Sequence, residues 1–181
     1  MVGLILAVML GVAVAEQSGL LSALVRAMVT KVSAKMLTFV VALAGVTGGE
    51  VRIKDTIPGD LRMIRLVFER LGLRSELDGN DVIVPGDQTL VVSRDLGEYK
   101  SKVQDGPWPA FPADLTSIAV ALATQCAGSI LIHEWMFENR LIFTDTLVVM
   151  GADVVMCDPH RAIVSGPCRL HGERMTSPDI R

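Results

Sequence analysis

The sequence is poor in aromatic residues, in cysteine and in basic charge, and each shortage excludes a class of protein. Aromatic residues make up only 4% of the 181 residues, so Val, Leu, Ile and Ala must supply the core. Three cysteines, a small and odd number, do not make a disulfide framework, which favours a reducing compartment. The 17 Lys and Arg residues are outnumbered by 20 Asp and Glu residues, so we expect no nucleic-acid partner.

The sequence also lacks an apolar run of membrane-spanning length. Residues 2–15 are continuously apolar and end in Ala13-Val14-Ala15 before Glu16, which resembles the core and cleavage site of a signal peptide. No Lys or Arg precedes this run, and a membrane-spanning helix needs about 20 apolar residues. Three interpretations of residues 1–35 therefore stay open: a secretion signal, an atypical or non-native leading segment, and an ordinary buried helix.

From about residue 36 the sequence repeats itself with a period near 80 residues. Gly72 and Gly151 are 79 residues apart, as are two Ala-Leu-Ala strings. Gly86 and Gly166 are 80 residues apart, which predicts one inserted residue in the second copy. This period is too long for a solenoid and indicates a duplicated α/β unit, at about residues 36–110 and 111–176.

Each copy is predicted to contain the same elements in the same order. In the first copy these are a helix at 36–46, a strand at 48–55, a helix at 60–71 and a hairpin of 74–77 with 81–84. In the second they are a helix at 115–125, a strand at 129–133, a helix at 140–150 and a hairpin of 152–157 with 161–164. Asp114 is the predicted N-cap of the third helix. A strand at 89–94 and a rigid segment at 106–109 connect the copies, and residues 177–181 begin a third.

Four short motifs stand at the edges of these elements in the second half of the chain. They are residues 108–114 (WPAFPAD), 136–140 (MFENR), 150–153 (MGAD) and 177–181 (SPDIR). Together they resemble the motifs of the UDP-N-acetylglucosamine 1-carboxyvinyltransferase family, and the resemblance covers about residues 36–181. Ala113 stands where the family has Thr, Leu141 stands where it has Phe, and the last motif departs from the family pattern at two positions.

The resemblance implies an α/β protein with the inside-out barrel fold of the enolpyruvyl transferases. That fold has two domains, each built from three strand–helix–hairpin units. This chain would hold about two of the three units of one domain, and the other domain, with its catalytic-loop cysteine, would lie outside it. Residues 1–35 are outside the resemblance, and the sequence leaves open whether another chain supplies the missing domain.

The activity that the resemblance implies is the transfer of enolpyruvyl from phosphoenolpyruvate to the 3-hydroxyl of UDP-N-acetylglucosamine. This is the first committed step of peptidoglycan synthesis, takes place in the cytoplasm and needs no cofactor. Such chemistry needs a carboxylate that accepts the hydroxyl proton, and arginines that hold phosphate and carboxylate groups. Two other hypotheses remain: a non-catalytic remnant or folding module, and an envelope-anchored binding domain suggested by residues 2–15.

By resemblance, five residues form the site. Asp114 would contact the sugar and act as the general base, and Arg140 would organise the anionic part of the site. Met136 would contact the UDP-sugar through its backbone, and Asp179 and Arg181 would complete the site, with Arg181 toward phosphoenolpyruvate. The plainer alternatives are an N-cap for Asp114, a packed apolar residue for Met136, a surface arginine for Arg140 and a frayed terminus for the last two.

Two Cys-x2-His pairs have the spacing of a four-ligand zinc site. They are Cys157 with His160 and Cys168 with His171. Alternating strand positions explain these residues as well, and the resemblance implies no metal, so we expect none. Cys126, at the end of an apolar helix, is expected in the core, and no cysteine is assigned a catalytic role.

Overall fold

The structure is a computed structural model, and it describes residues 34–95 and 99–174. The apolar run at 2–15 and the predicted start of a third copy at 177–181 lie outside these residues. The chain divides into two compact units, Met1–Val40 and Val41–Arg181. Of the first unit, only the beginning of helix α1 (Ala34–Thr47) is described.

After α1, the first copy forms a three-stranded sheet and one helix. Strand β1 (Val51–Ile53) is followed by helix α2 (Arg62–Arg70) and by the hairpin of β2 (Glu76–Asp78) and β3 (Asp81–Val84). The central strand β3 pairs antiparallel with both neighbours, in the order β1-β3-β2. Alternate side chains of β1 and β3 are buried, as expected for a sheet with one face on a core: Val51, Ile53, Val82 and Val84.

The second copy begins with a 3₁₀ turn (Ala113–Leu115) and helix α3 (Thr116–Ala123). Strand β5 (Gly128–His133) follows, then a 3₁₀ turn (Arg140–Ile142), helix α4 (Phe143–Val149) and the hairpin of β6 (Asp153–Asp158) and β7 (Arg161–Gly166). Strand β4 (Lys102–Gln104) adds to the edge as the parallel neighbour of β5. The strand order is therefore β4-β5-β7-β6.

The predicted repetition of strand, helix and hairpin is confirmed by the strand pairing. Val51 pairs with Val84 in the first sheet, and Ile130 pairs with Val164 in the second. Beyond Met156, opposite Ala162, the register of the second hairpin shifts so that Asp158 lies opposite Arg161. The extra residue of the second copy is thus Cys157, which is accommodated as a β-bulge. The boundaries of the copies at 110 and 176 stay predictions.

One prediction about the connecting segments is wrong, and one strand in them was not predicted. Residues 89–94 form no strand but only single bridges, from Val91 to Ala127 and from Arg94 to Lys100. The backbone of this segment bonds to separate partners: Ser93 N–H donates to the Arg70 carbonyl at the end of α2, and Val92 N–H donates to Ala127. Strand β4 was not predicted, because it is defined by its pairing with β5, a segment distant in sequence that local periodicity does not reveal.

The predicted N-cap at Asp114 is also wrong. Asp114 lies inside the 3₁₀ turn that leads into α3, and neither Pro112 nor Leu115, the residues at the cap positions, makes a side-chain cap hydrogen bond. The Asp114 carboxylate accepts a hydrogen bond from a guanidinium group instead, as described below. The predicted bounds of α2, α3 and α4 are too long at the ends, in part because turns replace the first residues of α2 and α4, whereas those of α1 are too short.

Candidate functional site

An ion pair joins two of the predicted site residues. Arg140 Nη2 lies 2.6 Å from Asp114 Oδ1. The turn before α3 provides the aspartate and the turn before α4 provides the arginine, so the two helix starts of the second copy meet here. The Asp114 side chain is 86% exposed and the Arg140 side chain only 19%. The carboxylate is therefore accessible to a ligand, whereas the arginine is held by the protein.

The loop between β5 and α4 holds Arg140 in this position. Asn139 has a left-handed backbone conformation, with φ of 59°, which turns the chain into the 3₁₀ turn that Arg140 opens. The Arg140 guanidinium carbon lies 4.9 Å from the centre of the Phe137 ring, a cation–π contact. The aromatic ring and the aspartate therefore fix the guanidinium group from two directions.

The backbone of Met136 is fixed by a buried carboxylate. Asp105, which follows β4, accepts hydrogen bonds from the N–H groups of both Trp135 and Met136, the latter at 3.2 Å. Because its N–H group is engaged, a ligand contact through the Met136 backbone would use the carbonyl oxygen. The Met136 side chain is 41% exposed, so the packed apolar role considered for it does not hold.

Glu134 is the buried acid of this region. Its side chain is fully buried, and neither carboxylate oxygen has a hydrogen-bond partner of normal geometry among the described residues. Burial raises the pKa of Glu134 to about 7, and the Asp105 charge adds to this effect while Thr116 and Arg140 oppose it. A carboxyl group with such a pKa can gain or lose a proton near neutral pH.

An open pocket of about 320 Å³ lies beside the turn that leads into α4. Its walls come from that turn, from α4 and from the β6–β7 hairpin: Asn139, Ile142, Asp145, Met156, Cys157, Asp158 and Pro159. Within residues 34–95 and 99–174, no three His, Cys, Asp or Glu side chains are grouped as metal ligands. Cys126 is buried as expected, and burial raises the pKa of its thiol to about 12, which makes it inert at neutral pH.

Of the predicted site residues, Asp114, Arg140 and Met136 lie in one region, whereas Asp179 and Arg181 lie outside the described residues. The motif search missed Asp105 and Glu134. The alternation of β5 contained a signal for Glu134, because Ile130, Ile132 and residue 134 share one face of the strand. An acid that continues a buried apolar face is unusual enough to mark a candidate functional residue.

The fold is similar to that of a known enolpyruvyl transferase. The enolpyruvyl transferase NikO from Streptomyces tendae superposes with a TM-score of 0.61 over 76% of this chain and 31% of that chain, at 18% identity. Residues 32–181 match the model of the family described as EPSP synthase (3-phosphoshikimate 1-carboxyvinyltransferase). The chain therefore belongs to the EPSP synthase family.

Within this family, the chain is similar to curated UDP-N-acetylglucosamine 1-carboxyvinyltransferases, which confirms the resemblance seen in its motifs. It is 55% identical over 141 residues to the protein of that name from Bradyrhizobium diazoefficiens and 49% identical over 141 residues to the one from Treponema denticola. Each alignment covers 78% of this chain, and the chain spans about a third, 33%, of each of these relatives.

The beginning of the chain has a second similarity. Residues 1–53 match the model of the AbgT putative transporter family, which overlaps the EPSP synthase match at residues 32–53. Among the residues that the structure describes, no helix is long and apolar enough to cross a membrane.

Proposed function

We propose that this chain is part of a cytoplasmic enzyme that transfers enolpyruvyl from phosphoenolpyruvate to the 3-hydroxyl of UDP-N-acetylglucosamine. This reaction is the first committed step of peptidoglycan synthesis. The observation that carries the proposal is the ion pair of 2.6 Å between Asp114 and Arg140, which joins two separate family motifs at one point. The names of the relatives, at identities of up to 55% over 141 residues, support the choice of substrates.

In this proposal the exposed carboxylate of Asp114 accepts the proton of the sugar 3-hydroxyl as that oxygen adds to C2 of phosphoenolpyruvate, whose C3 takes up a proton. The elimination that follows removes a proton from C3, releases phosphate and leaves the enolpyruvyl ether. Arg140 organises the anionic part of the site through its pair with Asp114, and Met136 contacts the UDP-sugar through its carbonyl oxygen. Asp179 and Arg181 are proposed to complete the site, with Arg181 toward phosphoenolpyruvate.

The experiment is a chimera. The segment of the Bradyrhizobium diazoefficiens relative that matches this chain is replaced by the corresponding residues of this chain, and phosphate release is measured with both substrates. We expect turnover that depends on both UDP-N-acetylglucosamine and phosphoenolpyruvate. A folded chimera that binds neither substrate would reject the proposal.

The 181-residue chain by itself is expected to release no phosphate. It spans 33% of its curated relatives, and groups of a catalytic site act as a unit, so a partial site loses orders of magnitude in rate. Turnover by the purified chain without an added partner would contradict this. A chain that is inactive both alone and in the chimera would favour the alternative of a non-catalytic remnant or folding module.

A further inference from the structure

The two acids that the motifs did not reveal lie side by side behind the Asp114–Arg140 pair. Strands β4 and β5 are parallel neighbours, with Gln104 opposite His133 at their ends. Continuing this register by one residue places Asp105 beside Glu134, and both are buried, at 2% and 0% exposure. Asp105 accepts two backbone hydrogen bonds, whereas no described residue gives the oxygens of Glu134 a hydrogen bond of normal geometry, although Thr116 and Asp105 lie close enough to affect its pKa.

Each element around Glu134 presents a polar or charged group. Asp105 comes from the end of β4, Thr116 from the start of α3, and Arg140 from the turn before α4. His160, in the β6–β7 turn, binds the backbone of Glu134 through its ring Nδ1, 2.8 Å from the Glu134 carbonyl oxygen. Of the described residues, Arg140 is the cation whose charge lowers the pKa of the Glu134 carboxyl. The Thr116 hydroxyl, which is buried without a hydrogen bond of normal geometry, lowers that pKa as well.

We propose that Glu134 is a positioning residue whose protonation decides whether Arg140 pairs with Asp114 or is drawn inward toward Glu134. When Glu134 carries a proton it needs no counter-charge, and Arg140 pairs with Asp114 as the structure shows. When Glu134 loses that proton, a buried carboxylate without a partner is strongly unfavourable, and Arg140 is the group that can compensate it. The pair with Asp114, whose carboxylate is 86% exposed, is weak by comparison and gives way.

This competition has a consequence for the proposed reaction. A carboxylate that is hydrogen-bonded to an arginine has less freedom to accept the proton of a hydroxyl group, so the withdrawal of Arg140 releases Asp114 for that role. The consequence rests on the proposed function, whereas the competition itself requires no substrate. The two can therefore fail separately.

The test is an NMR titration of the 181-residue chain between pH 5 and pH 9. The side-chain carboxyl resonance of Glu134 and the Nε–Hε resonance of Arg140 are followed together. We expect both to move with the same midpoint near pH 7, because burial raises the pKa of Glu134 to about 7. The guanidinium of Arg52 is an internal control, since it pairs with exposed Asp78 at 2.6 Å and should not show that midpoint.

Two variants complete the experiment. Glu134→Gln should abolish the Arg140 midpoint, whereas Glu138→Gln, which changes an exposed acid in the same loop, should leave it unchanged. The proposal would be overturned if the Arg140 resonance does not change as Glu134 titrates, or if the Arg140 midpoint is still present in Glu134→Gln. If Glu134→Gln does not fold, the wild-type titration still tests the proposal. Equal midpoints for the Glu134 and Arg140 resonances support it, and different midpoints reject it.

In the chimera, the dependence of turnover on pH distinguishes a positioning role of Glu134 from a purely structural one. We expect turnover of the parent chimera to rise through about pH 7, and the Glu134→Gln chimera to lose that rise and to be at least about tenfold slower at pH 8. A uniform loss at all pH values would reject the positioning role. A chimera without turnover whose chain nevertheless shows coupled NMR midpoints would reject the proposed function alone.

Discussion

The two copies within this chain share a framework and differ in the polar residues at one edge of it. Both sheets place the hairpin beside the first strand in the same order, β1-β3-β2 and β5-β7-β6. Their apolar positions also correspond, since Val51 and Ile53 in the first copy and Ile130 and Ile132 in the second are all buried. Alternating apolar residues are therefore sufficient to define the unit, whatever its function.

The two copies differ in the residues that follow the first strand of each, after β1 and after β5. At the offset of 79 residues, the exposed Asp55 of the first copy takes the place of the buried Glu134, and Leu61 takes the place of Arg140. Asp55 has φ of 54°, so the backbone turns there and carries the acid out to solvent. In the second copy the corresponding acid, Glu134, is buried. The comparison shows that a site can arise at one edge of a repeated unit while the order of its first strand and hairpin is kept.

The largest expected effect is on catalysis. In the active chimera, Asp114→Asn should lower turnover by about 10² to 10⁴-fold, because Asn keeps a hydrogen bond but cannot accept the proton. Binding of UDP-N-acetylglucosamine should weaken without being lost. Asp60→Asn, at the same edge of the first copy, is the control and should leave turnover unchanged. Near-normal turnover of Asp114→Asn, measured by phosphate release, would remove Asp114 from the mechanism.

The next effect tests whether the two copies are packed equally tightly. An added Cβ at Gly166 would lie 2.6 Å from the Cys126 carbonyl oxygen and 2.7 Å from that of Thr124, whereas one at Gly86 would lie 3.0 Å from the Gly48 carbonyl oxygen. Backbone atoms cannot give way easily, so we expect Gly166→Ala to lower the free energy of unfolding by about 3 kcal/mol and Gly86→Ala by about 1 kcal/mol. Urea unfolding of the 181-residue chain measures both, and equal losses would contradict the difference in packing.

The order of elements and the pairing of the hairpins could be predicted from the sequence, because glycine spacing and apolar alternation are local signals. The inserted residue was predicted from the spacing of Gly86 and Gly166, but its form as a bulge at Cys157 was not. Residues 89–94 show why sequence reasoning fails in connections. Their β-like pattern is genuine, yet their backbone bonds to Arg70 and Ala127, which are distant partners that no local pattern can identify.

The site was predicted in part for a related reason. Asp114 and Arg140 belong to recognisable motifs, and the pair they form is consistent with their predicted proximity. The role of Asp105 depends on β4 lying parallel to β5, a pairing between segments that local periodicity does not reveal. Asp114 was expected to cap a helix because Asp is a good N-cap, but a guanidinium group is a stronger partner than a backbone N–H.

A smaller effect concerns pH and stability. The folded pKa of Glu134 is raised from 4.5 to about 7, so its contribution to stability is fully present below about pH 4.5 and is lost as the pH rises through about 7. Glu134→Gln cannot ionise, so it does not lose this stability as the pH rises. The free energy of unfolding of the variant minus that of the wild type should therefore be about 2 to 3 kcal/mol larger at pH 8 than at pH 5. Asp55→Asn, the exposed counterpart in the first copy, should show no such gain in urea unfolding at the two pH values. A pH-independent difference for Glu134→Gln would mean that Glu134 stays ionised in the fold.

The smallest effect is the loss of stability when the site ion pair is broken. Asp114→Asn removes a charge pair of 2.6 Å, but the Asp114 side chain is 86% exposed, and exposed ion pairs stabilise proteins by less than about 1 kcal/mol. Asp78→Asn is the matched variant in the first copy, because Asp78 pairs with Arg52 at the same distance of 2.6 Å and its side chain is 63% exposed. We expect both variants to unfold within about 1 kcal/mol of the wild type in urea. A much larger loss for Asp114→Asn than for Asp78→Asn would show that the pair supports the fold of the second copy, and the loss of turnover in the chimera could then no longer be attributed to chemistry alone.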